Sequence, residues 1–320
     1  MTLGVVVPCF RQERWLDRTL PAIERALAGH EWRGALVVHG GDTMPPAGDR
    51  WRVLSPRPVP PMTPGGARML GLAAVDGEWV LFVDADTEVD ADWVARALAE
   101  ASRDPDTAGF GGRIEEWVVA PEGAERPGVP DLNRVGDDER TIELLTTPAL
   151  YRRNLLLAVG GYDARLNAEE DFELGLRLAQ AGHRLRMLRG PAGRHWNEPR
   201  PSFAELERRW STGLAFGPGQ ALRLYVGRPG FSQLLERQRL PLGALLMWGV
   251  GAIALLWSTS GDTGPLFVWL TVCLVCLAMM IVRKRSLRLA LHSLLAWTMN
   301  GVGLVVGFLQ MPRTSVARSA

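Results

Sequence analysis

Residues 77–87 read Gly77-Glu-Trp-Val-Leu-Phe-Val-Asp-Ala-Asp-Thr87, a short apolar run that breaks into two carboxylates spaced one residue apart. Trp79–Val83 is continuous, rich in β-branched and aromatic residues and bounded by polar turns, which predicts a fully buried strand. Acids just past such a strand stand where open α/β sheets bind ligands, in the crevice beyond the strands' carboxyl ends. With one residue between them, Asp84 and Asp86 can both face a hard cation, which takes carboxylate oxygen readily. Asp-x-Asp is common, however, and alone it favours a plainer reading: a strand-to-helix turn in which Asp90 caps the next helix.

The flanking sequence alternates strand and helix. Leu3–Val7 is expected as a buried strand ended by Pro8. A helix over about Glu13 to Ala28 puts Trp15, Leu16, Leu20, Ile23 and Leu27 on one stripe. Ala35–His39 and Trp51–Leu54 read as strands, and Gly65–Val75 as a helix after the proline-rich loop from Pro56 to Pro64. Beyond the central run come a helix from Asp90 to about Ser102, a strand at Ala108–Ile114 and a long mobile loop over 118–140, rich in Pro, Gly and charge. Ala149–Tyr151, a helix near Arg153–Val159, a Gly160-Gly161 turn, a Glu169–Ala181 helix and a final short strand at Arg184–Leu188 complete the pattern. Such alternation implies a largely parallel sheet with right-handed crossovers, an α/β fold.

The halves differ. The 320 residues are 47% hydrophobic with a net charge of +1, but residues 241–310 are mostly apolar and 1–240 are of globular texture. Near-neutral charge leaves no footprint for nucleic acid. Lys284 is the only lysine among 36 basic residues. Three cysteines make no disulfide framework. Cys9 lies at the first strand-to-loop junction, and Cys273 and Cys276 fall within an apolar run. The N-terminus has no basic segment ahead of an apolar core, so no signal peptide is expected and the N-terminal part should be cytosolic.

Ser202-Phe-Ala-Glu205 reads as a capping box opening an amphipathic helix, and Phe231–Leu240 repeats its texture; both are expected to lie on a bilayer surface. Leu240–Trp257, Pro265–Val282 and Leu289–Leu309 each approach the ~20 residues needed to cross a ~30 Å hydrocarbon core. Arg283-Lys284-Arg285 and Arg288 between the second and third make that loop cytosolic and Ser258–Gly264 external. The first span then starts from the cytosol, in agreement with a cytosolic N-terminal domain. The third segment carries His292 and Asn300 and could lie in the interface instead of spanning; its Gly303-x-x-x-Gly307 would allow close helix packing.

A second acidic cluster, Glu169-Glu170-Asp171, opens a helix. Acids in a first helical turn are expected from the macrodipole alone. A carboxylate held ionised there also suits a base that takes a proton from a hydroxyl. A metal-binding acid pair with a distant carboxylate is what metal-assisted transfer from a nucleotide-activated donor requires.

The order and wording of the segments resemble the inverting family 2 glycosyltransferases with a GT-A fold. The matching pieces are Val5-Val-Val-Pro-Cys-Phe-Arg-Gln-Glu13, Gly65-Gly-Ala-Arg68, the run from Gly71 to Asp86, Ala149-Leu-Tyr-Arg-Arg153, Val159-Gly-Gly-Tyr-Asp163 and Glu170-Asp-Phe-Glu-Leu-Gly-Leu-Arg-Leu178. The resemblance implies a GT-A catalytic domain over 1–200; the apolar and amphipathic patterning adds interfacial helices over 201–240, about three transmembrane helices over 241–310 and a tail over 311–320. It implies that Asp84 touches the nucleotide ribose or metal and that Asp86 binds Mg²⁺ or Mn²⁺ bridging the diphosphate. Asp171 would be the general base, supported by Glu170. Pro8, Phe10 and Glu13 would contact the nucleotide, with Arg68 near its base or ribose and His195 near metal or diphosphate. Arg208-Arg209-Trp210 is similar to the Q-x-x-R-W element of processive polysaccharide synthases, without the glutamine. Where the family has Asp-Asp-Gly-Ser, this chain has His39-Gly40-Gly41-Asp42, so the acid expected to read a uracil edge is missing or displaced to Asp42.

The reading is therefore a multi-pass enzyme of the cell (inner) membrane, its catalytic domain on the cytoplasmic face. It would move a sugar from a nucleotide-sugar donor to a lipid-linked or glycan acceptor. The alternatives are a processive polysaccharide synthase and a membrane scaffold that kept the fold without catalysis.

Overall fold

A computed structural model of the chain describes residues 2–41, 48–56, 62–199 and 202–310. They form two compact units that divide between Pro199 and Arg200.

The first unit is built on one mixed sheet. Its first four strands, β1 (Thr2–Phe10), β2 (Glu31–His39), β3 (Trp51–Leu54) and β4 (Trp79–Phe82), pair in parallel in the order β3-β2-β1-β4. Val5, Val6, Val7, Leu36, Val37, Val80, Leu81 and Phe82 are almost wholly excluded from solvent. Such continuous apolar runs are what a sheet covered on both faces demands. On one face α1 (Leu16–Ala26) lays down Leu16, Leu20 and Ile23, with Trp15 and Leu27 at its ends, as its stripe requires. A single 3-10 turn at Glu13–Trp15 precedes this helix. On the other face α2 (Pro64–Ala73) approaches β1 closely, because a Cβ on Gly71 would strike Val6 at 2.4 Å.

Beyond β4 the sheet stops being parallel. β9 (Ala149–Arg152) lies antiparallel between β4 and β6 (Thr107–Val119), and β6 runs parallel to β10 (Arg184–Asn197). A short β5 (Thr87–Val89) leaves the Asp84–Asp86 turn and pairs antiparallel with β10. Asp90 caps α3 (Ala91–Arg103) as expected, its Oδ1 accepting from the Trp93 N–H at 2.8 Å. The first unit is completed by α4 (Arg153–Ala158) and α5 (Glu170–Gln180).

Several sequence boundaries shift. β1 runs through Pro8 to Phe10, paired with β2 over its whole length. The β1–β4 pairing ends at Val6, whose carbonyl takes the Val83 N–H. Strand alternation points the Pro8 nitrogen to that same side, past the last partner, so its missing N–H costs no ladder bond. The stretch 118–140 is not wholly loop: β7 (Glu125–Pro127) folds back on β6 as a hairpin, and β8 (Arg140–Ile142) adds to β10. β10 is a 14-residue strand rather than the short one expected, and His195 lies within it, not after it. Register shifts around Pro191 keep it paired through its proline.

The second unit comprises α6 (Ser202–Ser211), α7 (Gly217–Leu224), α8 (Phe231–Arg237), α9 (Arg239–Ser258), α10 (Gly264–Lys284) and α11 (Leu287–Leu309). The last three have 20, 21 and 23 residues and are apolar enough to cross a membrane. The segment over 231–240 divides at Gln238, so its end belongs to α9. α7 was not legible in the sequence. The turn before it is what the Gly303/Gly307 pair receives. Cβ atoms at those positions would strike the carbonyl oxygens of Ala215 and Phe216 at 2.6 and 2.0 Å, in the turn that leads into α7. Gly307→Leu should therefore overpack this contact by about 1–3 kcal/mol. A lowered melting temperature of the detergent-solubilised protein would register it, and an unchanged one would contradict the contact.

Candidate active site

Three elements converge beyond the carboxyl end of β4. The strand delivers Asp84 and Asp86. Helix α2 delivers Arg68, positioned by Thr63, whose Oγ1 accepts from the Gly66 N–H at 3.0 Å and donates to the Ala164 carbonyl at 2.8 Å. The first turn of α5 delivers Glu170 and Asp171, and Glu169 before it takes a left-handed φ of 69° that sets the entry of the helix.

Arg68 is the hub. Its side chain is only 6% exposed, and Nη1 donates to Glu170 Oε1 at 2.7 Å while Nη2 donates to Asp84 Oδ1 at 3.1 Å. Asp171 Oδ1 lies 3.9 Å from Nη1, and the guanidinium sits over the Tyr162 ring at 5.3 Å. One cation thus faces three carboxylates. Burial pushes the Asp171 carboxyl well above the usual range; Arg68 opposes this, and the charges of Glu170, Asp84 and Glu169 add to it. Glu170 is raised too, again mainly by burial against the pull of Arg68. Asp84 also accepts from the Thr147 hydroxyl.

Asp86 is organised separately. Its Oδ2 accepts from Gln12 Nε2 and lies 3.3 Å from His195 Nε2. The β5–β10 pairing places His195 opposite Thr87, and the Trp196 N–H binds the Asp86 carbonyl at 2.8 Å, so the backbone fixes this approach. Burial alone would lower the His195 pKa, but the hydrogen bond to Asp86 and the charges of Asp86, Asp84 and Glu116 raise it overall. Among the described residues no group of three His, Cys, Asp or Glu side chains is gathered to hold a metal. Asp86 and His195 nevertheless supply a carboxylate and an imidazole side by side. The carboxylate suits a hard divalent ion and the imidazole a softer one, so the pair fits a divalent cation without selecting which.

Phe10 packs on His39 with ring centroids 5.0 Å apart. Gly40 has φ +75°, and a Cβ there would strike the Phe10 ring at 2.3 Å. A Cβ on Gly41 would overlap the Glu13 carboxylate at 1.7 Å. The two glycines are therefore what let Phe10 and Glu13 close over this turn. His39 is buried, its pKa is lowered by that burial, and its Nδ1 has no hydrogen-bond partner among the described residues. Pro8 is in β1, two residues before Phe10. Asp42 lies outside the described residues. Arg208, Arg209 and Trp210 are on α6 of the second unit, where Arg208 pairs with Glu205 at 2.6 Å and Trp210 packs edge-on against Phe216. Gln12, Thr147 and Tyr162 were not singled out from the sequence. Gln12 and Tyr162 lie inside the family-like segments, which was the available signal; nothing local marks Thr147.

The profile of glycosyl transferase family 2 matches residues 61–155, and that of glycosyl transferase family group 2 matches residues 139–309, over half of the chain. The chain belongs to the family 2 glycosyltransferases. Among relatives of this family, the pre-mycofactocin glycosyltransferase of Mycobacterium tuberculosis, in strains CDC 1551 and H37Rv, is 28% identical over 193 residues, covering 58% of this chain and 39% of that protein. The chain thus spans about two fifths of the length of the curated relatives it matches. Similar solved structures include S. aureus TarS 1-349 in complex with UDP-GlcNAc, at 16% identity and a TM-score of 0.46, covering 79% of this chain and 81% of that one. GalNAc-T7 with UDP, GalNAc and Mn2+ is 18% identical with a TM-score of 0.45, covering 62% and 44% of the respective chains.

Removing the hub leaves buried carboxylates uncompensated. Arg68→Met should destabilise the first unit by about 3–5 kcal/mol at neutral pH. The loss should shrink as pH falls, because protonated carboxyls no longer need the cation. Urea unfolding of wild type and variant at pH 5 and pH 8 measures both, and a pH-independent loss would contradict the ion cluster.

Proposed function

We propose that this protein is a membrane-anchored inverting glycosyltransferase that moves a sugar from a nucleotide-sugar donor to a lipid-linked or membrane-proximal acceptor. The observation that carries this reading is the Arg68 cluster. It joins Asp84 at the donor side to Glu170 and Asp171, 86 and 87 residues further along. Membership of the family and the name of the mycobacterial relative support the chemistry. Three helices long enough to span a membrane support the anchorage. The arginine and lysine excess between α10 and α11 supports a cytosolic first unit.

In the proposed reaction Asp171 takes the proton of the acceptor hydroxyl while that oxygen attacks the anomeric carbon. The bond from that carbon to the diphosphate oxygen breaks, and its electron pair leaves with the nucleoside diphosphate. A single displacement of this kind inverts the anomeric centre. Glu170 holds Arg68, and Arg68 holds Asp84 and Asp171 in register. Asp84 is assigned to the donor, and Phe10, Glu13 and Pro8 to the loop against which the nucleotide rests. Asp86, held by Gln12 and His195, is the assigned metal carboxylate, with His195 beside it. A bound Mg²⁺ or Mn²⁺ would neutralise charge on the diphosphate leaving group.

Membranes containing the protein, incubated with a panel of nucleotide sugars and Mg²⁺ or Mn²⁺, should release nucleotide with at least one donor, and chelation should abolish the release. Asp171→Asn should lower kcat by about 10²–10⁴-fold, the usual contribution of a general base. Donor turnover that ignores Asp171→Asn and Asp86→Ala, or no turnover with any donor, would sink the catalytic reading. A ladder of lengthening products would mark a processive enzyme instead.

The base must be ionised to act, and burial raises its pKa. The rate kcat/KM should therefore rise with pH through an inflection well above the ~4 of an exposed aspartate. Arg68 opposes that rise in pKa, so Arg68→Met should move the inflection to higher pH still. A shift to lower pH would exclude Asp171 as the titrating base.

A further inference from the structure

The three long helices of the second unit do not pack solidly. Between them lies a cleft of about 350 Å³, at the lower end of the size of small-molecule sites. Its walls come from residues 239–248 of α9, 269–280 of α10 and 294–297 of α11, so it opens beside Arg239 at one end of the three-helix bundle and reaches its middle. That end is the one carrying Arg239, Arg283, Lys284, Arg285 and Arg288. Between residues 239 and 310 the single acidic residue is Asp262, at the opposite end.

The lining is almost entirely hydrocarbon. The indole N–H groups of two tryptophans in the wall are already taken: Trp269 donates to the Met247 carbonyl and Trp248 to Thr298 Oγ1, both at 2.9 Å. The two rings meet at 6.1 Å and bridge α9 to α10. Arg239 is the only charged residue of the lining, and it is exposed, with no hydrogen bond or ion pair among the described residues. An apolar slot with one free cation at the cationic end of a membrane bundle complements an amphiphile that has a chain and a negative head. We propose that this cleft is a lipid site that takes one hydrocarbon chain of an anionic phospholipid of the surrounding bilayer, with the phosphate held at Arg239. The site is independent of the catalytic reading.

Gly243 makes the idea testable. It lines the cleft, and a Cβ built there meets nothing within 4 Å. Gly243→Leu therefore starts its side chain in open space within the slot, and leucine is the better helix former. Full-length protein in detergent would be titrated with phosphatidylglycerol brominated along its chains, reading quenching of tryptophan fluorescence. Phosphatidylcholine with the same chains and inorganic phosphate serve as controls. Wild type should be quenched by the anionic lipid at about fivefold lower concentration than by the zwitterionic one, the preference one arginine contributes beside anionic lipid. Gly243→Leu should lose most of the quenching with both lipids. Arg239→Gln should keep the quenching and lose the preference. Equal quenching by the two lipids in wild type, quenching unaffected by Gly243→Leu, or displacement of the lipid by millimolar phosphate alone would each overturn the proposal. A circular dichroism melt of each variant separates loss of the site from loss of the fold.

Discussion

Taking a guanidinium out of water costs several kcal/mol unless anions meet it with good geometry. Arg68 meets that condition only where three parts of the chain arrive together. α2 must carry it in, β4 must end at Asp84, and α5 must begin at Glu170. Any misplacement of these elements leaves either an unpaired cation or unpaired acids in a buried setting. The ion cluster therefore acts as a registration device for the first unit. Burial, with the neighbouring acids adding to it, makes Asp171 hold its proton more tightly than an ordinary aspartate.

Much of this was legible in the sequence because the signals are local. A buried run such as Trp79–Phe82 and a stripe such as Leu16, Leu20 and Ile23 are set by periodicity. Asp90 is a cap because an amphipathic helix begins at the next residue. The β5–β10 pairing was not legible: it depends on Thr87 finding His195 across more than a hundred residues. For the same reason β10 looked short, since Gly190, Pro191 and Gly193 read as a strand's end, whereas pairing with β6 carries it through register shifts to Asn197. Thr147 was missed at the site because its role depends on where β9 inserts, between β4 and β6.

Glycines carry two other features that composition alone would have treated as loop or spacer. Gly40 and Gly41 stand where the family has acid and glycine. They admit Phe10 and Glu13 at distances no other residue would allow. Gly303 and Gly307 have the spacing of a helix-dimer motif, yet in this chain they receive the backbone of the turn before α7. A motif reports that something approaches closely; only the fold says what approaches.

The charge of Asp84 is among those that make Asp171 hold its proton, and both acids look to the same arginine. That shared partner makes the two positions thermodynamically reciprocal. Whatever cationic ligand neutralises Asp84 also favours the ionised form of Asp171, and ionisation of Asp171 must strengthen the hold on that ligand by the same factor. Occupancy beside Asp84 and the basicity of Asp171 are thus two linked equilibria, coupled through one arginine.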